Sequence, residues 1–341
     1  MREMKHLLSC VDRIFESREL ANLMVKVGVG DREICQIKRS SEDRELTETT
    51  LFDMASVTKV VVTASLALLA IDKGLIATDD KVSRFFDVPP DKAQLTVGHL
   101  LTHTMGIGHK KLVGGGAYET IQDHILSIPS DVAIGGEVRY SCPGFILLGR
   151  ILEQTFGDGL DVLFQRLVAA PLGMLRSGFY PDLSADIVNA NLDDGEGGIV
   201  NDYNCRYLGG ACGNAGLFSC LEDMTRYAHM LINRGSPLLS EQVFDLAVKN
   251  YTPNSSESRG LGFLYVDGRY EQTGGLFPEG SIGHCGHTGQ SVFADPRSGL
   301  YVIVLSDATV SMMRKYGREN YGAVKQMRHD IHEAIQKDIQ K

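Results

Sequence analysis

The chain has 341 residues, 43% hydrophobic and 23% charged, with a formal net charge of -9 and no tryptophan. That length buries a large core and accommodates two substructures. The acidic balance excludes an electrostatically driven nucleic-acid partner, because phosphates select basic surfaces.

Residues 4–19 read as an amphipathic helix, with no apolar core of the kind a secretion leader carries. Two β-prone runs follow, Leu23–Val29 and Glu33–Lys38, with Gly30-Asp31 at a tight turn, and predict a hairpin. Arg39–Thr50 is polar and reads as a loop. The run Val60–Ala70 is apolar all round, the mark of a buried helix, and is too short for a membrane span. This helix starts at Ser56 and runs to about Lys73, with Gly74 fitting the residue after its end.

Leu95–Thr102 reads as a short helix capped by Thr96, and Gly114-Gly115-Gly116 as a mobile loop. A helix is expected over 118–128. A loop over Gly135–Gly144 leads into a second buried helix, Phe145–Phe156. Leu160–Ala169 is helical, and Pro171-Leu172-Gly173-Met174 is expected to break it. Pro181–Asn214 has little periodicity and reads as an irregular surface region.

Leu221–Arg234 and 240–249 read as helices. The pattern then turns β-prone at Gly262–Val266, Ser281–Cys285, Ser291–Ala294 and Leu300–Ser306, before an amphipathic helix over 318–340. Strands therefore lie at both ends of the chain with helices between. The expected fold class is α+β: one antiparallel sheet flanked by N- and C-terminal helices, plus a mostly helical lobe. Residues 1–78 and 220–341 are expected to form the sheet domain and residues 79–219 the helical one. The cleft between them is the expected ligand site.

Ser56 and Lys59 stand three apart at the start of the buried helix, so both side chains share one face. A desolvated lysine amine has a lowered pKa and can take the proton of a serine hydroxyl. Free amide N–H groups at the helix start add positive potential near the serine oxygen. Tyr140, on the loop before the second buried helix, can pass protons between nucleophile and leaving group. His287-Thr288-Gly289-Gln290 lies between two strand candidates, and the amide N–H groups of Gln290 and Ser56 are the expected oxyanion hole. His103 reads as a structural histidine in a turn. The run His284-Cys285-Gly286-His287 has no second ligand pair at matching spacing, so no metal is expected, and no cofactor motif appears. The seven cysteines are an odd number without Cys-x-x-Cys spacing. They read as reduced thiols and point to a cytoplasmic location, or to export if a leader has been removed.

Ser56-Val57-Thr58-Lys59, Tyr140-Ser141-Cys142 and His287-Thr288-Gly289 resemble the three active-site elements of the serine β-lactamase and penicillin-binding-protein superfamily. The branch most similar holds the class C β-lactamases, DD-peptidases and family VIII esterases. Further signposts fit from about residue 23 to 310: Leu100–Thr104, Tyr140–Gly149, Pro171–Met174, Gly213–Ser219 and Gly286–Pro296. The resemblance implies that Ser56 is the acylated nucleophile, with Lys59 and Tyr140 as the acid–base pair. It puts His287 in the place of a lysine that meets a substrate carboxylate or steers protons to Tyr140, with Thr288, Gly289 and Cys142 binding substrate. Cys142 departs from the usual Asn, and a thiol is a weak donor and acceptor. Low β-lactam turnover is expected. The expected activity is hydrolysis of a small ester or amide through an acyl-enzyme on Ser56. The alternatives are a DD-peptidase or β-lactamase acting on D-Ala-D-Ala peptides or β-lactams, and a non-catalytic ligand-binding descendant. The expected partner is a small-molecule or short-peptide substrate, without nucleic acid or membrane span.

Overall fold

The computed structural model describes residues 4–17, 19–112, 120–192 and 197–340. The Gly114–Gly116 loop and the start of the 118–128 helix lie outside these residues.

The hairpin forms as its two β-prone runs and tight turn predict. Strands β1 (Asn22–Val29) and β2 (Arg32–Ser40) pair antiparallel, and Gly30 turns the chain at φ +57°. A two-residue strand β3 (Phe52–Asp53) pairs with β4 (Phe218–Ser219). Strands β5 (Leu264–Tyr265), β6 (Ile282–Cys285), β7 (Ser291–Asp295) and β8 (Leu300–Ser306) complete a six-stranded antiparallel sheet in the order β2-β1-β8-β7-β6-β5. The chain ends meet at β1 and β8, where Leu23 stands opposite Ser306 and Val29 opposite Leu300.

Alternation along each strand supplies two apolar faces. Leu23, Val25, Val27, Phe293, Val302 and Val304 pack against the N-terminal helix (Lys5–Glu16) and the C-terminal helix (Tyr321–Ile339). Met24, Val292, Ile303 and Leu305 face the opposite way, into the core built on the Ser56 helix and the helices of the middle of the chain. The stretch Ala55–Asp72 is long and apolar enough to cross a membrane, but 83% of it is buried inside the fold, which makes it the core helix.

Several elements differ from expectation for identifiable reasons. The second buried helix begins at Cys142, not Phe145, because Ser141 caps it: Ser141 Oγ accepts from Gly144 N at 3.0 Å, and Pro143 sits in the first turn, where no N–H is missed. Pro171 does not end its helix. The chain passes through a π-helical turn (Gln165–Ala169) and a last helical turn (Ala170–Leu172), and Gly173 stops it at φ +70°. The sequence reading missed two helices, Tyr203–Tyr207 and Ala308–Tyr316. The second is held by burial of Ala308, Val310 and Met312. Tertiary packing there overrides weak local preference.

Candidate active site

The nucleophile turn is held by Asp53. Its side-chain oxygens accept from Ala55 N (2.7 Å) and Asn201 N (2.6 Å), while its carbonyl accepts from Thr288 Oγ1 (2.9 Å) and Gln290 Nε2 (2.7 Å). Complete burial outweighs the two N–H donors and pushes the Asp53 carboxyl up to about 6. Ala55 sits at φ +44°, a strained conformation for a residue with a Cβ. After Ala55 the chain makes a short 3-10 turn (Ala55–Val57), a π-helical stretch (Lys59–Ala64) and then regular α-helix (Ser65–Asp72). Such irregular helix starts are common at functional sites.

Lys59 is fully buried, and its Nζ donates to Ser56 Oγ at 3.0 Å, Asn214 O at 2.9 Å and Cys142 Sγ at 3.5 Å. Asn214 is itself positioned by its side chain, which donates to Asp202 Oδ1 at 3.0 Å. The Tyr140 ring lies 5.0 Å from Lys59 Nζ and 4.6 Å from the His103 ring. His103 takes Ser141 N–H on Nδ1 at 3.0 Å, so it fixes the loop that carries Tyr140.

The charges in this cluster are interdependent. Burial lowers the Lys59 pKa, but Cys142 and Tyr140, each able to become an anion against it, outweigh burial and hold it above the ordinary lysine value. The direction is opposite to the lowering that burial alone implies. Burial pushes the Tyr140 phenol up to about 12 against the pull of Lys59. Cys142 goes the other way. Burial raises its thiol, but Lys59 and a hydrogen bond with His109 outweigh that and bring it below the ordinary thiol value. The acidic member facing Lys59 is the thiol, not the phenol.

A cleft of about 550 Å³ opens over these groups, in the size range of small-molecule sites. Its lining includes Ser56, Tyr140, Cys142, Arg259, His284 and His287. The strand element facing the nucleophile is not the expected one. His284 and Cys285 end β6, and the His284 ring lies 6.2 Å from that of Tyr140. A Cβ at Gly286 would lie 2.6 Å from Met54 O, so only glycine lets this strand reach the nucleophile turn.

The trio beside Ser56 is thus His284-Cys285-Gly286, three residues upstream of His287-Thr288-Gly289. His287 sits at the cleft rim, 3.3 Å from Glu319 and stacked on Tyr321. Thr288 and Gln290 are buried behind the nucleophile turn and brace the Asp53 carbonyl, and a Cβ on Gly289 would strike Ser306. None of these last three lines the cleft. The shift arises because two His-x-Gly runs stand side by side, and only pairing of β6 with β7 decides which of them meets Ser56. His284 also differs in charge from the lysine it replaces. Its Nδ1 lies 2.9 Å from Cys285 O, and burial together with Arg259 holds it neutral, well below the ordinary histidine value.

Asp53, Asn214 and His284 carry no catalytic signature of their own. Asn214 falls in the Gly213–Ser219 signpost, which was the available signal for it. Among the described residues, no cluster of three or more His, Cys, Asp or Glu side chains is arranged to hold a metal ion.

A serine hydroxyl bonded to a buried amine, flanked by a phenol and open to a cleft, is the apparatus of acyl transfer through a covalent intermediate. The beta-lactamase family model matches residues 14–325, and the chain belongs to that family of serine hydrolases. It is 30% identical over 301 residues to an Escherichia coli K12 protein named as a D-alanyl-D-alanine carboxypeptidase, covering 76% of this chain and 69% of that one. It is 29% identical over 335 residues to esterase EstB of Burkholderia gladioli, covering 84% and 82%. Among solved structures, EstCE1, a hydrolase with promiscuous acyltransferase activity, superposes with a TM-score of 0.75 at 20% identity, covering 96% and 98%. The last likeness shows the fold.

Proposed function

We propose that the protein hydrolyses a small carboxylic ester by acylating Ser56. The observation that carries this reading is the 3.0 Å contact between Lys59 Nζ and Ser56 Oγ, with Cys142 Sγ 3.5 Å from the same nitrogen. Lys59 in its free-amine form accepts the Ser56 proton across this contact. The serine oxygen attacks the ester carbon, and the tetrahedral oxyanion is received by the amide N–H groups of Ser56 and His287. Tyr140 then delivers a proton to the departing alcohol, and water completes the cycle through the same groups.

Cys142 favours an ester over a peptide. A thiol offers little to the amide of a peptide substrate, and an ester's leaving group depends less on full protonation than an amine does. EstB, similar over 84% of this chain, is in keeping with this reading. A second reading, peptidase action on a D-Ala-D-Ala end, is favoured by the name of the Escherichia coli relative.

The test is intact-mass spectrometry after incubation with p-nitrophenyl butyrate and, separately, with a penicillin. The expected result is a butyryl adduct on the native chain and none on Ser56→Ala. A penicillin adduct without an ester adduct moves the assignment to the second reading. An adduct that survives in Ser56→Ala removes Ser56 from the mechanism.

A further inference from the structure

Arg328 lies on the C-terminal helix and is completely buried. Its guanidinium donates to Gly286 O, to Gly289 O at 3.3 Å and to Gln272 Oε1 at 2.9 Å. Burying a guanidinium is costly unless its donors are used, and two of these three bonds go to the carbonyls that bracket His287-Thr288. Two helical turns earlier on the same helix, Tyr321 stacks on the His287 ring at 5.4 Å.

A trans peptide is planar, so the C=O of Gly286 and the N–H of His287 point in opposite directions. Arg328 draws the Gly286 carbonyl back toward the C-terminal helix. The His287 N–H therefore faces the other way, on the side of the strand that approaches Met54 and Ala55. A cation on the carbonyl also polarises the peptide and strengthens the opposite N–H as a donor.

We infer that Arg328 is a positioning residue that aims the His287 amide at the oxyanion through its hold on the Gly286 carbonyl. The inference rests on the acyl-enzyme reading above and adds a residue 272 positions from the nucleophile to its machinery.

The test compares p-nitrophenyl butyrate with its thiono counterpart, in which sulfur replaces the carbonyl oxygen. A preorganised hole tuned to oxygen discriminates against sulfur. Removing one oxyanion donor costs about 10²–10³ in kcat. Arg328→Met is expected to lose on the order of 10²-fold in kcat, with KM within about threefold, and Arg328→Lys to fall between. The preference for oxygen over sulfur is expected to shrink about tenfold or more in both. Should Arg328→Met fail to fold, Arg328→Lys, which keeps the charge and a donor, carries the comparison. A folded variant that loses rate but keeps the native oxygen-to-sulfur ratio overturns the inference, because general loosening of the fold leaves that ratio alone. If the native protein shows neither an acyl adduct nor an oxygen preference, the acyl-enzyme reading falls and the inference with it. If the native protein shows both and the variants keep the ratio, this inference alone falls.

Discussion

Replacing Lys59 by methionine separates the chemistry of this site from the stability of the fold. The side chain is fully buried and serves Ser56 Oγ, Asn214 O and Cys142 Sγ. Methionine fills similar volume but has no proton to exchange. A positioned general base contributes about 10²–10⁴-fold, equal to about 3–5 kcal/mol of barrier. Lys59 is both base and anchor of the nucleophile, so kcat for p-nitrophenyl butyrate is expected to fall by about 10³–10⁴. The structural cost is small by comparison. Asn214 O becomes a buried acceptor without a donor, at about 1–3 kcal/mol, and this is offset by relief from burying an ammonium. At about 2 cal/mol/K per residue of unfolding entropy, that cost alone lowers Tm by about 1–4 °C. The assays are stopped-flow release of p-nitrophenol and a thermal melt on the same sample. A variant that melts normally and hydrolyses the ester within about tenfold of the native rate refutes the base assignment. So does full activity recovered by adding only a stabilising ligand, since that makes the defect one of folding.

Three other outcomes are expected. Cys142→Asn removes the first of the groups that raise the Lys59 pKa, so that pKa falls and the free amine becomes available at lower pH. The acid limb of the kcat/KM profile should shift to lower pH, and labelling by a fluorescent penicillin should increase; a limb that stays or moves up, or unchanged labelling, contradicts this account. The Asp53 carboxyl stands at about 6 in the fold against 3.8 when free. Because the folded value is the higher one, its contribution to stability is complete below about pH 3.8 and is lost as pH rises through about 6, some 3 kcal/mol in all. Denaturant titrations of native protein and Asp53→Asn across pH 4–7 should differ in slope over that window, and parallel curves would show that Asp53 does not titrate there. Ser56→Ala should release p-nitrophenol no faster than buffer with matched protein, and turnover at the native rate would place the nucleophile elsewhere.

Much of the framework was legible because it rests on local periodicity. The β-prone runs over Leu23–Lys38 and Leu300–Ser306, the polar turn at Gly30-Asp31 and the unbroken apolar run after Lys59 each specify an element without reference to the rest of the chain. The pairing of Ser56 with Lys59 is equally local, since three residues on one helical turn bring two side chains together. The helix over Ala308–Tyr316 was not legible, because it is held by burial of its first turns rather than by a local signal.

By itself the sequence determined the α+β composition, the family, and the placing of a serine, a lysine and a tyrosine in the order a covalent hydrolase uses. Tertiary structure alone decided which His-x-Gly run meets the nucleophile, because strand register is a relation between distant segments: Gly286 fits against Met54 and Gly289 does not. It also decided which groups surround the Lys59 amine. Lys59 meets a thiol 83 residues away and a carbonyl 155 residues away, and no spacing along the chain encodes the field of groups that only folding brings together.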